Sequence, residues 1–168
     1  GTKEMKPRWK RALGTVNGSL GELLGKAFVE RHFPEKSKAE VSQMVENLRA
    51  AFKVRIENLT WMGDSTKEKA LEKLASFNKK IGYPDKWTDY SSVEITDNFA
   101  QNIINARKFN FQDMISKLGK PVDKDEWYMS PQTVNAYYSS SQNEIVFPAG
   151  ILQPPFYDKD ADAAINYG

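Results

Sequence analysis

The sequence of 168 residues contains no cysteine and a single histidine, His32. The absence of cysteine excludes a disulfide framework, a thiolate zinc site and a cysteine nucleophile. A catalytic zinc site usually takes two or three nitrogen or sulfur ligands, and a serine triad needs a histidine base. The chain therefore supplies neither kind of centre by itself. Because His32 is predicted at the end of a helix, an interaction with the last helix carbonyls is favoured over a role as general base.

The chain also has little net charge and no long apolar run. It carries 24 lysines and arginines against 22 aspartates and glutamates, and both signs are mixed along the sequence. A nucleic-acid-binding protein more often shows a clear basic excess, and a solvated helix entrance explains the basic residues at 3–11 equally well. No stretch is apolar enough over a sufficient length to cross a bilayer, and neither a signal peptide nor a membrane anchor is visible.

Helical periodicity dominates the first 118 residues. Ser37 with Glu40, and Ser65 with Glu68, have the spacing of capping boxes at helix starts. In the helix that Ser37 would open, the apolar positions between residues 41 and 59 form one predicted buried face. The predicted helices cover residues 8–32, 37–59, 65–81 and 97–118.

Four glycines in the first predicted helix carry a further prediction. Gly14, Gly18, Gly21 and Gly25 fall on one stripe of a helix. Since four glycines lower the helix propensity, the stripe predicts the close approach of another backbone. The alternative is a broken helix with a turn at residues 17–18.

The pattern changes towards the C-terminus. Residues 133–139 and 143–147 are short runs rich in valine, isoleucine, tyrosine and phenylalanine, with a polar tripeptide between them. This pattern is typical of a β-hairpin. The predicted fold is therefore mainly α with a small β-hairpin near the C-terminus.

Two groups of polar residues are candidates for chemistry. Asp123, Asp125 and Glu126 could offer oxygen ligands to a hard cation, but their spacing matches no calcium loop, so a solvated turn, or caps for a following element, are favoured. Asn135 offers both a donor and an acceptor, which the recognition of a peptide main chain at a strand edge requires. On residue chemistry alone, an ordinary hairpin with Asn135 in a structural hydrogen bond is favoured.

The segment around Asn135 resembles the family of neprilysin and endothelin-converting enzyme, which are zinc-dependent endopeptidases. Residues 135–139 (NAYYS) match the family's N-A-[FY]-Y-S, and residues 145–156 (IVFPAGILQPPF) match a family stretch without a gap. Residues 166–168 match the N-Y-G that opens the family's zinc-binding helix. Other landmarks follow in the family's order at residues 16–18, 59–62, 81–85 and 122–127. The resemblance thus covers nearly the whole chain.

This resemblance implies two largely helical lobes around an enclosed cavity. Residues 1–98 would form a segment of the helical cover lobe, and residues 99–168 the N-terminal part of a thermolysin-like α+β catalytic lobe. The chain would end just before the H-E-x-x-H helix. Because the family's zinc ligands and catalytic glutamate lie beyond that point, no catalytic residue and no metal ligand is expected here, and the chain alone is expected to be inactive.

The resemblance also implies a set of substrate-binding residues. The Asn135 amide would hold the substrate main chain, and the Ala136 carbonyl would accept a hydrogen bond from a substrate N–H. Ile151 and Phe156 match positions that line the pocket for the residue after the cleaved bond, which prefers bulky apolar side chains. The alternative for Ile151 and Phe156 is plain core packing.

The implied function is part of a zinc-dependent endopeptidase that cleaves peptides on the amino side of bulky apolar residues. Its expected partners are peptide substrates and the C-terminal, zinc-bearing remainder of the same protein, and no nucleic acid is expected. Because vertebrate members are rich in disulfides, the lack of cysteine favours a bacterial member. A periplasmic or extracellular location is expected, with a cytoplasmic location as the alternative. A fragment that binds peptides without cleaving them, or a purely structural helical fragment, are the alternative functions.

Overall fold

A computed structural model describes residues 3–168, so the first two residues of the predicted cover-lobe segment lie outside the described residues. Helices account for most of the regular structure, and a small sheet includes the last part of the chain. The elements are α1 (Arg8–Ser19), α2 (Gly21–His32), α3 (Glu35–Glu57), α4 (Asp64–Ala75), β1 (Asn78–Gly82), α5 (Phe99–Ser116), β2 (Tyr137–Ser139), β3 (Glu144–Pro148) and α6 (Ala163–Tyr167). The predicted fold class, mainly α with a hairpin near the C-terminus, is confirmed.

The first predicted helix, residues 8–32, is in fact two helices. Leu20 separates α1 from α2, because its φ of −134° and ψ of 46° are not helical. The chain is therefore broken, as the alternative interpretation held, although the break lies at Leu20 and not at residues 17–18. His32 is the last residue of α2, where the sequence predicts it.

Two of the four glycines of the stripe, Gly21 and Gly25, are closely packed by other described residues. A Cβ atom on Gly25 would lie 2.5 Å from Cδ of Pro131, and one on Gly21 would overlap the side chain of Ser130. At Gly14 and Gly18 a Cβ atom would meet nothing within 4 Å in the described chain. The predicted close approach is confirmed for α2, where residues 130–132 pack, and for α1 it stays a prediction, because no described residue approaches Gly14 or Gly18.

Neither predicted capping box forms. α3 begins two residues before Ser37 and α4 one residue before Ser65, so both serines lie inside helices. Ser37 is buried, with 2% of its surface exposed. Glu40, the expected partner of Ser37, instead accepts a hydrogen bond from the Tyr157 hydroxyl at 2.9 Å. A tertiary contact thus occupies the carboxylate that a local cap would have used.

The predicted helix over residues 65–81 ends early and is followed by a strand. α4 stops at Ala75, and β1 begins at Asn78. Ile81, which the spacing assigned to a helical face, lies in β1 opposite Phe147 of β3. That parallel pairing is a long-range contact which local spacing does not reveal. By contrast, α5 falls within the predicted residues 97–118.

The three strands form one sheet in the order β1-β3-β2. β1 runs parallel to β3, and β2 runs antiparallel to it, so the predicted hairpin exists as β2 and β3. Its first strand is shorter than predicted, because only Tyr137–Ser139 pair. Asn143 ends the turn with a φ of 49°, a left-handed conformation that asparagine tolerates. Within the described chain, β2 has a neighbour on one side only.

The hydrophobic core lies between α2, α3, one face of the sheet and the loop after β3. Its buried members are Val29, Phe33, Val41, Ile81, Ala149, Leu152 and Tyr157. Since β1 lies within residues 1–98 and β3 within residues 99–168, the sheet joins the two predicted lobe segments. The core therefore fixes the loop after β3 against α3.

Candidate functional site

The edge of the hairpin carries Asn135 and Ala136 just before β2. Asn135 is exposed, and its Oδ1 accepts a hydrogen bond from the N–H of Ala136 at 2.8 Å. The Nδ2 amide makes no hydrogen bond to another described residue. The oxygen of the side chain is thus used locally, while its donor is free to meet a ligand.

Residues 130–133, just upstream of Asn135, are tightly fixed. The N–H of Gly150 donates to the carbonyl of Pro131 at 2.7 Å. Nε2 of Gln132 donates to the Gly21 carbonyl at 3.0 Å and to Oδ1 of Asn17 at 2.5 Å. Residues 130–133 are therefore clamped between the α1–α2 junction and the loop after β3, and this clamp sets where the edge begins.

The other two predicted site residues, Ile151 and Phe156, lie in the loop after β3. Ile151 is half-buried and packs against the hydrophobic core, whereas Phe156 is 64% exposed. The hydrogen bond between Gly150 and Pro131 joins this loop to the segment that carries Asn135. The structure thus brings the two segments together but gives Ile151 and Phe156 different environments.

A buried ion pair beneath the edge was not anticipated from the sequence. Nζ of Lys80 in β1 lies 2.8 Å from Oε2 of Glu144 in β3, and these side chains are 6% and 0% exposed. The same Nζ donates to the Glu126 carbonyl at 2.7 Å. Glu144, next to the apolar residues 145–147 of a predicted strand, was the available signal, because charges are rarely fully buried unless paired.

The polar layer around Glu144 reaches the edge strand itself. Glu144 is opposite Ser139 of β2, and the second carboxylate oxygen of Glu144 has no partner in the described chain. The Tyr137 hydroxyl in β2 is likewise buried and unpartnered there. Burial raises the pKa of Tyr137, and the negative charge of Glu144 acts in the same direction. Both effects disfavour ionisation of the Tyr137 hydroxyl.

The acidic cluster before Trp127 is a turn tied to α5. Oδ1 of Asp123 accepts a hydrogen bond from the N–H of Asp125 at 2.8 Å. The Glu126 carboxylate lies 2.7 Å from Nζ of Lys117. Hydrogen bonds from Lys117 to Asp113 and to Glu126 raise the pKa of the Lys117 amine. The favoured interpretation of the cluster as a turn is confirmed.

The described residues do not suit a zinc ion. Residues 3–168 contain no group of three or more histidine, aspartate or glutamate side chains placed to hold a metal. The sole histidine, His32, ends α2 with its ring 5.1 Å from that of Phe28. Over the same residues, no helix combines the length and apolar character needed to span a membrane.

Two family models match the chain, and both describe peptidase family M13. One covers residues 1–84 and the other residues 135–168. The chain belongs to peptidase family M13, which confirms the resemblance to neprilysin seen in its motifs.

The relatives include animal and bacterial peptidases. Neprilysin-3 of Drosophila melanogaster is 39% identical over 168 residues, which is 95% of this chain and 21% of that protein. The structure of zinc metalloprotease Zmp1 of Mycobacterium tuberculosis in its open state superposes with a TM-score of 0.91 at 46% identity, over 98% of this chain and 26% of that one. The structure of PepO from Lactobacillus rhamnosis superposes with a TM-score of 0.85 at 34% identity, over 97% of this chain and 26% of that one. The chain thus spans about a quarter of the length of these relatives.

Proposed function

We propose that the chain is part of a zinc-dependent endopeptidase and contributes the strand edge that holds the peptide substrate. The observation that carries the proposal is the side of β2 that no strand of the described residues pairs, with the exposed Asn135 two residues before β2. Membership of peptidase family M13 supports it, as does the likeness to a zinc metalloprotease. An unpaired strand edge offers main-chain groups that an extended peptide can use.

The Asn135 side chain would act as a fixed donor. Because its Oδ1 is held by the N–H of Ala136, the amide plane is oriented and Nδ2 can donate to a substrate carbonyl. The Ala136 carbonyl would accept from a substrate N–H. The clamp on residues 130–133 supports this role, since a donor on a fixed backbone loses less entropy when the peptide binds.

The specificity we propose is cleavage on the amino side of bulky apolar residues. Ile151 and Phe156 would line the pocket for the residue that follows the cleaved bond. The exposed ring of Phe156 is available for such a contact, and Ile151 is anchored by the core beneath it. The hydrogen bond from the N–H of Gly150 to the carbonyl of Pro131 holds this loop next to the segment that carries Asn135, which supports a shared site.

The zinc ion would be held by residues outside this chain. We propose that residues 1–98 belong to the cover lobe and residues 99–168 to the catalytic lobe, with the C-terminal remainder of the protein supplying the metal ligands. By itself the chain would not cleave peptides. We propose a bacterial origin, which fits the cysteine-free sequence, and a location in the periplasm or outside the cell.

The test is Asn135→Ala in the full-length protein. Loss of a main-chain hydrogen bond at a desolvated edge should lower kcat/KM by about 10- to 100-fold, equivalent to about 1–3 kcal/mol. The zinc content, measured by atomic spectroscopy, should stay unchanged. Asn58→Ala is the matched control, because Asn58 is exposed and its side chain donates within its own helix end, to the Val54 carbonyl. Unchanged kcat/KM in Asn135→Ala would remove Asn135 from the site.

A non-catalytic peptide-binding role is the second candidate, and the exposed Asn135 donor favours it over a purely structural fragment. The two candidates differ in turnover. A full-length protein that binds apolar peptides, loses affinity with Asn135→Ala and releases no product would support the binding role and contradict the proposed peptidase.

A further inference from the structure

An apolar groove of about 750 Å³ opens between α3, α4 and the β2–β3 hairpin. Its walls include large side chains that are substantially exposed: Phe52 at 55%, Trp61 at 76% and Tyr138 at 48%. Ile145 and Phe147 of β3 line the same groove. Exposed apolar surface concentrated in one concave site marks a place where something else packs.

The amino-acid pattern of α3 makes the same point. The apolar face predicted to be buried runs the length of this helix, and Val41 near its start is 5% exposed. Leu48, one turn before Phe52 on that face, is nevertheless 55% exposed. The exposed apolar side chains therefore lie within the face, between the buried Val41 and Ile56, which is also 5% exposed. A helix that is apolar along one face is expected to bury that whole face.

The charged residues around the groove are all of one sign. Arg49, Arg55 and Lys73 line it, and none of the other described residues that line it is a carboxylate. Nη1 of Arg49 lies 3.7 Å from Oε1 of Glu46, so the Glu46 carboxylate partly neutralises the charge of Arg49. Within the described residues, Arg55 and Lys73 have no carboxylate within 4 Å. An occupant with carboxylates at its margins would complement this rim.

We propose that this groove, on the α3–α4 side of the sheet, receives a segment of the same polypeptide from outside these 168 residues, with apolar side chains flanked by carboxylates. The inference rests on the proposed function, because it requires the longer peptidase. The matched relatives extend far beyond this region, which is 21% of the Drosophila protein and 26% of Zmp1. Tryptophan, tyrosine and arginine are also the residues that contribute most to buried interfaces.

The groove connects the occupant to the substrate edge. Tyr138 of β2 lines the groove, and Asn135 lies three residues before it in the same hairpin. A segment seated in the groove would therefore brace the strand whose edge receives the peptide. A second copy of the chain is a poorer occupant, because face-to-face pairing of two such grooves would bring the two cationic rims together.

The first experiment is zero-length carbodiimide cross-linking of the full-length protein, followed by peptide mapping. We expect Lys73 to be joined to an aspartate or glutamate outside the 168 residues, in the same molecule. A mixture of isotopically labelled and unlabelled protein separates links within one molecule from links between two. Lys36 is the control, since its side chain is 84% exposed near the start of α3, 3.6 Å from Glu40, and should join only to nearby carboxylates. A link from Lys73 only to a second copy, or no link from it, would overturn the proposal.

The second experiment measures protection of the groove in the full-length protein. Leu48→Cys and Lys36→Cys place one thiol in the groove and one outside it on the same helix. We expect maleimide labelling at position 48 to be at least about tenfold slower than at position 36, with equal rates after unfolding in urea. Equal rates in the folded protein would overturn the proposal. A third sample, saturated with an uncleavable peptide, tests whether the substrate protects position 48. Protection that appears only with the peptide would assign the groove to substrate.

Neither readout depends on catalysis. A protected groove together with an unaffected Asn135→Ala variant would keep this inference and reject the proposed edge. An exposed groove together with a strong Asn135→Ala effect would do the reverse.

Discussion

The two faces of the three-stranded sheet are covered in different ways. On one face, Glu144 and Val146 are fully buried, and Nζ of Lys80 donates to the Glu126 carbonyl. On the other, the β1 side packs on α3, while Tyr138 at the β2 side faces the open groove. The first face is held by specific polar pairs. The second is held by apolar contacts that cover the β1 side and leave the β2 side open.

This difference separates two kinds of stabilisation. A buried charge needs its partner, since removing one member leaves the other desolvated and unpaired. An apolar face only needs to be covered, and several covers of similar shape can serve. Substitutions on the polar face should therefore be severe and specific, whereas those in the groove should depend on what is bound there.

The largest effect is expected for Lys80→Met, which leaves the Glu144 carboxylate buried without its partner. The free energy of unfolding should fall by about 3–5 kcal/mol, measured by urea denaturation of the full-length protein. Adding Glu144→Leu should recover most of that loss, because two apolar side chains of similar volume can replace a buried pair. A double variant no more stable than Lys80→Met would show that the polar layer, and not the pair, carries the stability.

A smaller loss is expected for Gly150→Ala. Gly150 lies in the loop after β3, where the backbone of Gln132 and Thr133 approaches it closely. A Cβ atom there would lie 2.6 Å from the Gln132 carbonyl oxygen and 2.7 Å from that of Thr133. Shifting two backbone segments should cost about 1–3 kcal/mol in thermal unfolding. Gly14→Ala is the matched control and should stabilise by about 0.5–1 kcal/mol, because its Cβ meets no atom of the described residues within 4 Å. Equal effects at both positions would contradict the close packing at Gly150.

The smallest effect concerns Tyr157, on the apolar side of the sheet. Burial, followed by the hydrogen bond to Glu40, raises the pKa of Tyr157 to about 12 from its ordinary value of 10.0. The folded protein thus holds this proton more tightly, so the resulting stability is complete below pH 10 and is lost as the pH rises towards 12. Tyr157→Phe should cost about 1 kcal/mol at neutral pH. The unfolding free energy of the Tyr157→Phe variant should then fall less between pH 10 and 12 than that of the natural protein. Parallel curves of unfolding free energy against pH for the two proteins would refute the raised pKa of Tyr157.

What could be predicted from the sequence was mainly what local spacing determines. α5 and the antiparallel hairpin are each formed by neighbouring residues, and both were predicted. The resemblance in residues 135–139 and 145–156 supplied the family, which two family models confirm. The roles of Asn135, Ala136, Ile151 and Phe156 came from that resemblance and stay predictions.

Long-range partners account for the errors. Ile81 fits a helical face with Leu74 and Phe77, but its neighbour in the sheet, Phe147, is distant in sequence. Glu40 has the spacing of a cap, but the Tyr157 hydroxyl binds it. The break at Leu20 accompanies the packing of residues 130–132 on α2. In each case a contact from the far end of the chain overrides a local preference.

The order β1-β3-β2 also has a consequence for how the chain is made. Asn78 and Glu144, neighbours across β1 and β3, are 66 residues apart in sequence, whereas the β2–β3 hairpin closes over a short turn. At roughly 5–20 residues per second, a ribosome would leave β1 without its partner for about 3–13 s. During that interval Lys80 is hydrated and Ile81 exposed, so the sheet should form around the hairpin as its nucleus.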